Sequence, residues 1–169
     1  MQKSPARDYS LDSPLIQPSD MMRQLLQEKS FPHYETMLVQ YGGLKVDAIS
    51  GPHAADRNAI HWPVQCTSMV SNRHRTLHGG IATYFIDTFG SLHVGLMTGN
   101  FMHVSVDIHM SYLRAVPIDV PLLVKTYIVK YGKSLIFLEG TIVRQDQPDE
   151  VLVSATHTKS VVPTRKSKL

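Results

Sequence analysis

The chain of 169 residues is long enough for one domain with a substantial core, and its 43% hydrophobic content is ordinary for a soluble globular protein. Its net charge is +3, and Arg165, Lys166 and Lys168 stand among the last five residues, so the body is near neutral and lacks the basic patch of a nucleic-acid binder. The single cysteine, Cys66, excludes an internal disulfide and suits a reducing compartment, and the N-terminus shows no apolar signal-peptide run.

Residues 1–17 contain Ser, Pro and Asp without periodicity and are expected to form a flexible lead or an arm lying on the surface. Pro18-Ser19-Asp20 predicts a helix start with Ser19 or Asp20 as N-cap. Met21, Met22, Leu25 and Leu26 give that helix one apolar edge, and Phe31-Pro32 stops it after about Lys29. Residues 33–41 read as helix or loop. Leu44–Ser50 predicts a first strand, ended by Gly51-Pro52. Residues 51–62 read as loop, and Val64–Ser71 as a second strand.

Leu77-His78-Gly79-Gly80 then opens a long apolar run to about Gly99. Ile81, Phe85, Phe89, Leu92 and Leu96 keep one face of a helix, and Tyr84, Ile86 and Met97 make the other side apolar too. Such a helix is buried on more than one side. A membrane span is disfavoured by Asp87, His93, three Thr and several Gly, and by the strands that follow. Residues 102–114 alternate, with Val104, Val106, Ile108, Met110 and Tyr112 on one face and His103, Ser105, Asp107, His109 and Ser111 on the other. Leu122–Lys130 and Leu135–Arg144 form a hairpin around Tyr131-Gly132-Lys133-Ser134, and Val151–Val162 is the last strand. Two strands, a long buried helix and four meandering strands predict an α+β protein whose antiparallel sheet wraps one central helix, the shape of the hotdog fold. Residues 1–43 would be an N-terminal extension with a short helix, 44–162 the domain and 163–169 a tail.

Asp87 is the only formal charge between Gly79 and Met102, so it should be paired, protonated or employed. It is a candidate general base or nucleophile; its bland reading is a buried Asp bonded for structure. The first N–H groups of the helix lack intrahelical partners, and Gly79 has no Cβ to shield its own, so that N–H is a candidate oxyanion donor. A tight turn explains Gly79-Gly80 as well. The two residues are eight apart, about 12 Å along one helix axis. A donor and a base must each reach within roughly 3 Å of one reacting group, so a two-fold pairing of antiparallel helices would have to bring Gly79 of one copy opposite Asp87 of another. The second apolar side of the helix would then be the dimer face.

Asn72-Arg73-His74-Arg75-Thr76-Leu77-His78-Gly79-Gly80, followed by Asp87 and by Val104-Ser105-Val106-Asp107, resembles the hotdog acyl-CoA thioesterases of the phenylacetate-pathway type and their eukaryotic thioesterase-superfamily branch. The resemblance covers residues 44–162. It implies hydrolysis of a fatty or aryl acyl-CoA to free acid and CoA, in homodimers or dimers of dimers, with no metal or other cofactor. It also implies roles: Gly79 N–H polarising the thioester carbonyl, Asp87 as base or nucleophile, Asn72 holding water or substrate, and Ser105 supporting the acid. His78 and Gly80 would border the substrate, and Lys130, Gly132, Lys133 and Lys159 would meet the anionic end of CoA. Ser105 is otherwise a polar residue on a wet strand face, which a local bulge would re-aim, and Asn72 otherwise caps a turn. Surface lysines are usually only solvated. Phe85, Phe89, Tyr84 or Met97 would line an acyl tunnel or pack the core.

Nine His show no compact ligand set, so no metal is expected. A hotdog hydratase or dehydratase using His78, and a non-catalytic acyl-CoA-binding dimer, are the competing readings. Ser167-Lys168-Leu169 ends the chain as a peroxisomal address, which in a eukaryote predicts the peroxisomal matrix and an import receptor as partner.

Overall fold

The computed structural model describes residues 14–28 and 32–162. The expected targeting tripeptide Ser167-Lys168-Leu169, most of the lead and the Phe31 stop lie outside them. Helix α1 (Pro18–Gln27) begins with Pro at its first turn, and Gln17 is its N-cap, without a side-chain bond. The expected cap at Ser19 or Asp20 is corrected: Asp20 instead sits in the first turn and pairs with Arg23, which also binds Asp47 at 2.6 Å. Segment α2 (Pro32–Tyr34) runs on into a π-helical stretch, Glu35–Tyr41.

The sheet has six antiparallel strands: β1 (Ser50–His53), β2 (Ala59–Val64), β3 (His103–Tyr112), β4 (Leu122–Tyr131), β5 (Leu135–Arg144) and β6 (Gln147–Val161). Their order is β1-β2-β4-β5-β6-β3, so the last four strands do not simply meander; β3 crosses to the far edge and pairs β6.

The first two strands differ from the expected ranges. Residues 46–48 form a 3-10 turn rather than strand, while Leu44 and Ile49 on either side are buried as anchors. Gly51-Pro52 lies inside β1 instead of ending it. Strand β2 starts at Ala59 and ends where the predicted strand began; Ser68–Val70 is a 3-10 turn. Pro63 is tolerated because its carbonyl accepts from Lys45 N on the side away from β4. The N–H it lacks falls on that same outer side, where no ladder bond is lost.

Helix α3 (Gly79–Thr98) ends at Gly99, whose φ of 66° closes the last turn back onto Gly95 O. Phe85 and Phe89 are fully buried, and Phe89 stacks on Trp62 with centroids 4.8 Å apart. Trp62 Nε1 donates to Thr126 Oγ1, which in turn contacts His93 Nδ1 at 3.0 Å. These pin the helix to β2 and β4. On the second apolar side of α3, Ile86 and Met97 are buried within the chain and Tyr84 is half-buried. Met21, Met22 and Leu38 of the N-terminal segment join its core cluster, and Leu15 N donates to Leu96 O. The less buried residues of the helix are Gly79, Gly80, Ile81, Thr83, Tyr84, Asp87 and Ser91, mostly polar or small. Among the described residues no helix is long and apolar enough to cross a membrane.

Candidate active site

The start of α3 borders a cleft of about 520 Å³ lined by Asn72, Leu77, Gly79, Gly80, Tyr112 and Arg114. His78 is the N-cap, and its Nδ1 accepts from Gly80 N at 3.0 Å. Gly80's donor is thereby used, whereas the Gly79 N–H begins the helix with no intrahelical acceptor. The Gly79 carbonyl accepts from Tyr112 Oη at 3.0 Å and Thr83 Oγ1 at 3.1 Å. A Cβ on Gly79 would stand 3.3 Å from the Tyr112 ring, so β3 closes directly over the helix start. Asn72 holds the preceding turn: its Oδ1 accepts from His74 N at 2.8 Å and its Nδ2 donates to Thr76 Oγ1 at 2.9 Å. The turn-capping reading therefore describes its contacts, although it stands at the cleft edge.

Two turns further along the helix, Asp87 meets β3 and β6. Ser105 Oγ donates to Asp87 Oδ1 at 2.7 Å, and Lys159 Nζ reaches the same oxygen at 3.3 Å. Lys159 Nζ donates to Ser105 Oγ at 2.8 Å, and His157 Nε2 contacts that oxygen at 3.0 Å. Ser105 points inward because β3 carries a bulge between Ser105 and Asp107. Ser105 faces Lys159, and after the extra residue Ile108 faces His157, Met110 faces Ala155 and Tyr112 faces Val153. The inner row is thus His103, Ser105, Ile108, Met110 and Tyr112. The strict two-face alternation expected for 102–114 is corrected by one residue, and Val104 and Val106 are exposed.

The hydrogens can be assigned by counting. Ionised Asp87 only accepts and an ammonium only donates, so Ser105 gives its one proton to Asp87 and accepts from Lys159. His157 then donates to Ser105 from Nε2–H. Its Nδ1 is buried without a partner, as a bare acceptor nitrogen. The electrostatics agree. Burial raises the Asp87 pKa, but the Ser105 hydrogen bond and then the Lys159 and His157 charges outweigh it, holding the carboxyl below its usual range. Burial, then the Lys159 charge, pulls His157 down to about 4, and His103 likewise to about 4. Burial lowers Lys159 while Asp87 opposes it. At neutral pH the cluster is a carboxylate, an ammonium and a neutral imidazole.

Asp87 and Ser105 are brought together, and Gly79, Gly80, His78 and Asn72 gather at the helix start. Lys159 is corrected. It is not a surface loop residue but is 2% exposed, because it alternates inward with His157 and Ala155 on β6. Lys130 and Lys133 are exposed around Gly132, beyond the other end of the helix, where Asn100 Nδ2 donates to Tyr131 Oη. Phe85, Phe89 and Met97 are core, which removes them as tunnel lining. His157 was not foreseen; its signal was the parity it shares with Val153 and Ala155. Among the described residues no group of three or more His, Cys, Asp or Glu is placed to hold a metal ion.

The model of the thioesterase superfamily matches residues 74–151. No curated protein sequence matches the chain. Solved structures share the fold. A Haemophilus influenzae thioesterase is 18% identical with a TM-score of 0.70, over 95% of this chain and 100% of that one. Mouse thioesterase superfamily member 2 is 18% identical with a TM-score of 0.67, over 85% and 97%. A Streptococcus mutans protein bound to acetyl CoA is 20% identical with a TM-score of 0.56, over 64% and 84%. The fold is therefore the hotdog fold of these thioesterases, and the segment of the chain similar to the thioesterase superfamily, residues 74–151, holds the start of α3, Asp87 and Ser105.

Proposed function

We propose that the chain hydrolyses acyl-CoA thioesters to free acid and CoA. One observation carries this reading: an ionised, half-open carboxylate, Asp87, on the same helix whose first N–H belongs to Gly79. Water attacks the thioester carbonyl, Asp87 takes its proton, and the oxyanion forms against the Gly79 N–H. Breaking the C–S bond releases CoA thiolate, which is protonated. Asn72 orients substrate at the cleft edge, with His78 and Gly80 beside it, and Ser105 orients the carboxylate. The alternative step is attack by Asp87 itself, giving an anhydride that water opens. Incorporation of labelled solvent oxygen into the enzyme in a single turnover separates the two.

The helix spacing requires two copies for one site, so the active form is a homodimer or a dimer of dimers. Sedimentation of the active protein tests this; an active monomer would sink it. The choice of CoA is supported by the Streptococcus mutans neighbour's acetyl CoA and by a Streptococcus pneumoniae thioesterase solved with coenzyme A. Lys130, Lys133 and Gly132 remain the proposed contacts for the CoA phosphates. The hydratase reading is weakened because His78 Nδ1 is engaged in capping Gly80 N. No metal or redox cofactor is needed for the proposed steps. The reading places the protein in the peroxisomal matrix, through import-receptor binding of Ser167-Lys168-Leu169. An N-terminal fluorescent fusion with and without those three residues tests it.

The decisive experiment is CoA release from an acyl-CoA series of rising chain length, beside enoyl-CoA hydration. Cleavage lost in Asp87→Asn supports the proposal. Hydration without cleavage, or binding without either, overturns it.

A further inference from the structure

Lys159 is a buried cation whose partners all belong to the Asp87 cluster. It stands directly opposite Ser105 in the β3–β6 ladder, and it touches Ser105 Oγ, Asp87 Oδ1 and His157 Nε2 at 2.8, 3.3 and 3.4 Å. An apolar side chain would fill that space without the cost of desolvating a charge. Every contact the cluster makes with the carboxylate falls on one oxygen: Ser105, Lys159 and His157 all approach Oδ1. Among the described residues, no hydrogen bond reaches Oδ2. The Asp87 side chain is 43% exposed while Lys159 and His157 are sealed at 2% and 1%, so the carboxylate is open on the side away from them.

We propose that Lys159 is a positioning residue: paired with Ser105, it clamps Asp87 by Oδ1, so that Oδ2 is the oxygen that meets water or the thioester. The proposal rests on Asp87 acting in thioester hydrolysis. Lys159 does not touch substrate. It keeps the carboxylate charged and fixes its rotation about the Cβ–Cγ bond. A neutral residue at 159 leaves Ser105 with one donor fewer and the carboxylate with no cation, so Asp87 takes a proton more readily and turns more freely.

Several groups act on Asp87: His103 on β3, His157 and Lys159 on β6, Tyr34 in α2 and Tyr84 on its own helix, while the exposed Asp107 of β3 acts on His157. All except Lys159 remain in a Lys159 variant, so a difference reports on that residue. The test is Lys159→Met and Lys159→Arg, with the Asp87 carboxyl titrated directly by carbon-13 NMR in the full chain. Alongside it run the pH profile of kcat/KM and the binding of a non-hydrolysable thioether analogue of acyl-CoA.

In Lys159→Met the Asp87 titration and the acid limb of kcat/KM should both move up by about one pH unit or more. Analogue binding should stay within about threefold. Lys159→Arg should keep the Asp87 titration near that of the unsubstituted protein. If Lys159→Met does not fold, Lys159→Gln, which keeps a donor without the charge, takes its place. An unmoved Asp87 titration in the neutral variant overturns the clamp. A fully active Asp87→Asn protein would instead overturn the catalytic reading, and the NMR titration would still decide the Lys159 contact.

Discussion

Ser105 Oγ lies 2.7 Å from Asp87 Oδ1 because β3 gains one residue over β6 between Ser105 and Asp107. Without the bulge, a strand carrying Ser105 inward would turn Ile108, Met110 and Tyr112 outward. With it, one strand supplies a polar contact to the carboxylate and turns the half-buried Ile108 and Met110 to the inner side. It also brings Tyr112 Oη to the Gly79 carbonyl.

Deleting Val106 therefore sets the two halves of β3 against each other. The apolar half is longer and should keep its place, turning Ser105 out. The deletion and Ser105→Ala should then lose kcat/KM by the same factor, about tenfold to a hundredfold, the worth of one hydrogen bond to a charged group. Steady-state CoA release by both variants checks this; full activity in the deletion would contradict it.

Asp87→Asn keeps shape and removes charge. Turnover should fall by about two powers of ten or more, with the affinity for a thioether analogue kept. Rapid-mixing kinetics and calorimetric binding on one preparation separate loss of chemistry from loss of binding.

His93 gives a pH signature outside the site. Burial holds its pKa near 3 in the folded chain, against about 6.5 when unfolded. The unfolded state therefore takes the proton first as pH falls. Its contribution is complete above pH about 6.5 and is lost toward pH about 3, at about 1.4 kcal/mol per pH unit. Urea unfolding at pH about 7, 6 and 5 should show His93→Gln with a pH slope lower by one proton. Equal slopes would refute it.

Gly43 has φ +64°, and a Cβ there would stand 2.1 Å from Gln65 O, a backbone atom unable to yield. Gly43→Ala should cost about 2 kcal/mol or more and lower Tm by about 5 °C or more. Calorimetry checks it.

Helix α3 and the β4–β5 hairpin were readable because their periods are long and their ends are marked by Gly79, Gly99 and Gly132. Strands β1 and β2 were not, because Pro52 and Pro63 look like breakers until the outer edge of the sheet is known. Asp87 stood out as a lone charge among apolar neighbours. Its partners did not: the parity of Ser105 depends on a bulge no residue type announces, and Lys159 resembles any surface lysine until its strand neighbours are counted.

The Trp62–Thr126–His93 chain and the Ser105–Asp87 bond grip α3 at two points six residues apart, about 9 Å along the axis and about 240° around it. One grip alone would let the helix roll or slide. Two together index it like a shaft seated by two keys, so wear at the distant key would surface as misalignment at the near one.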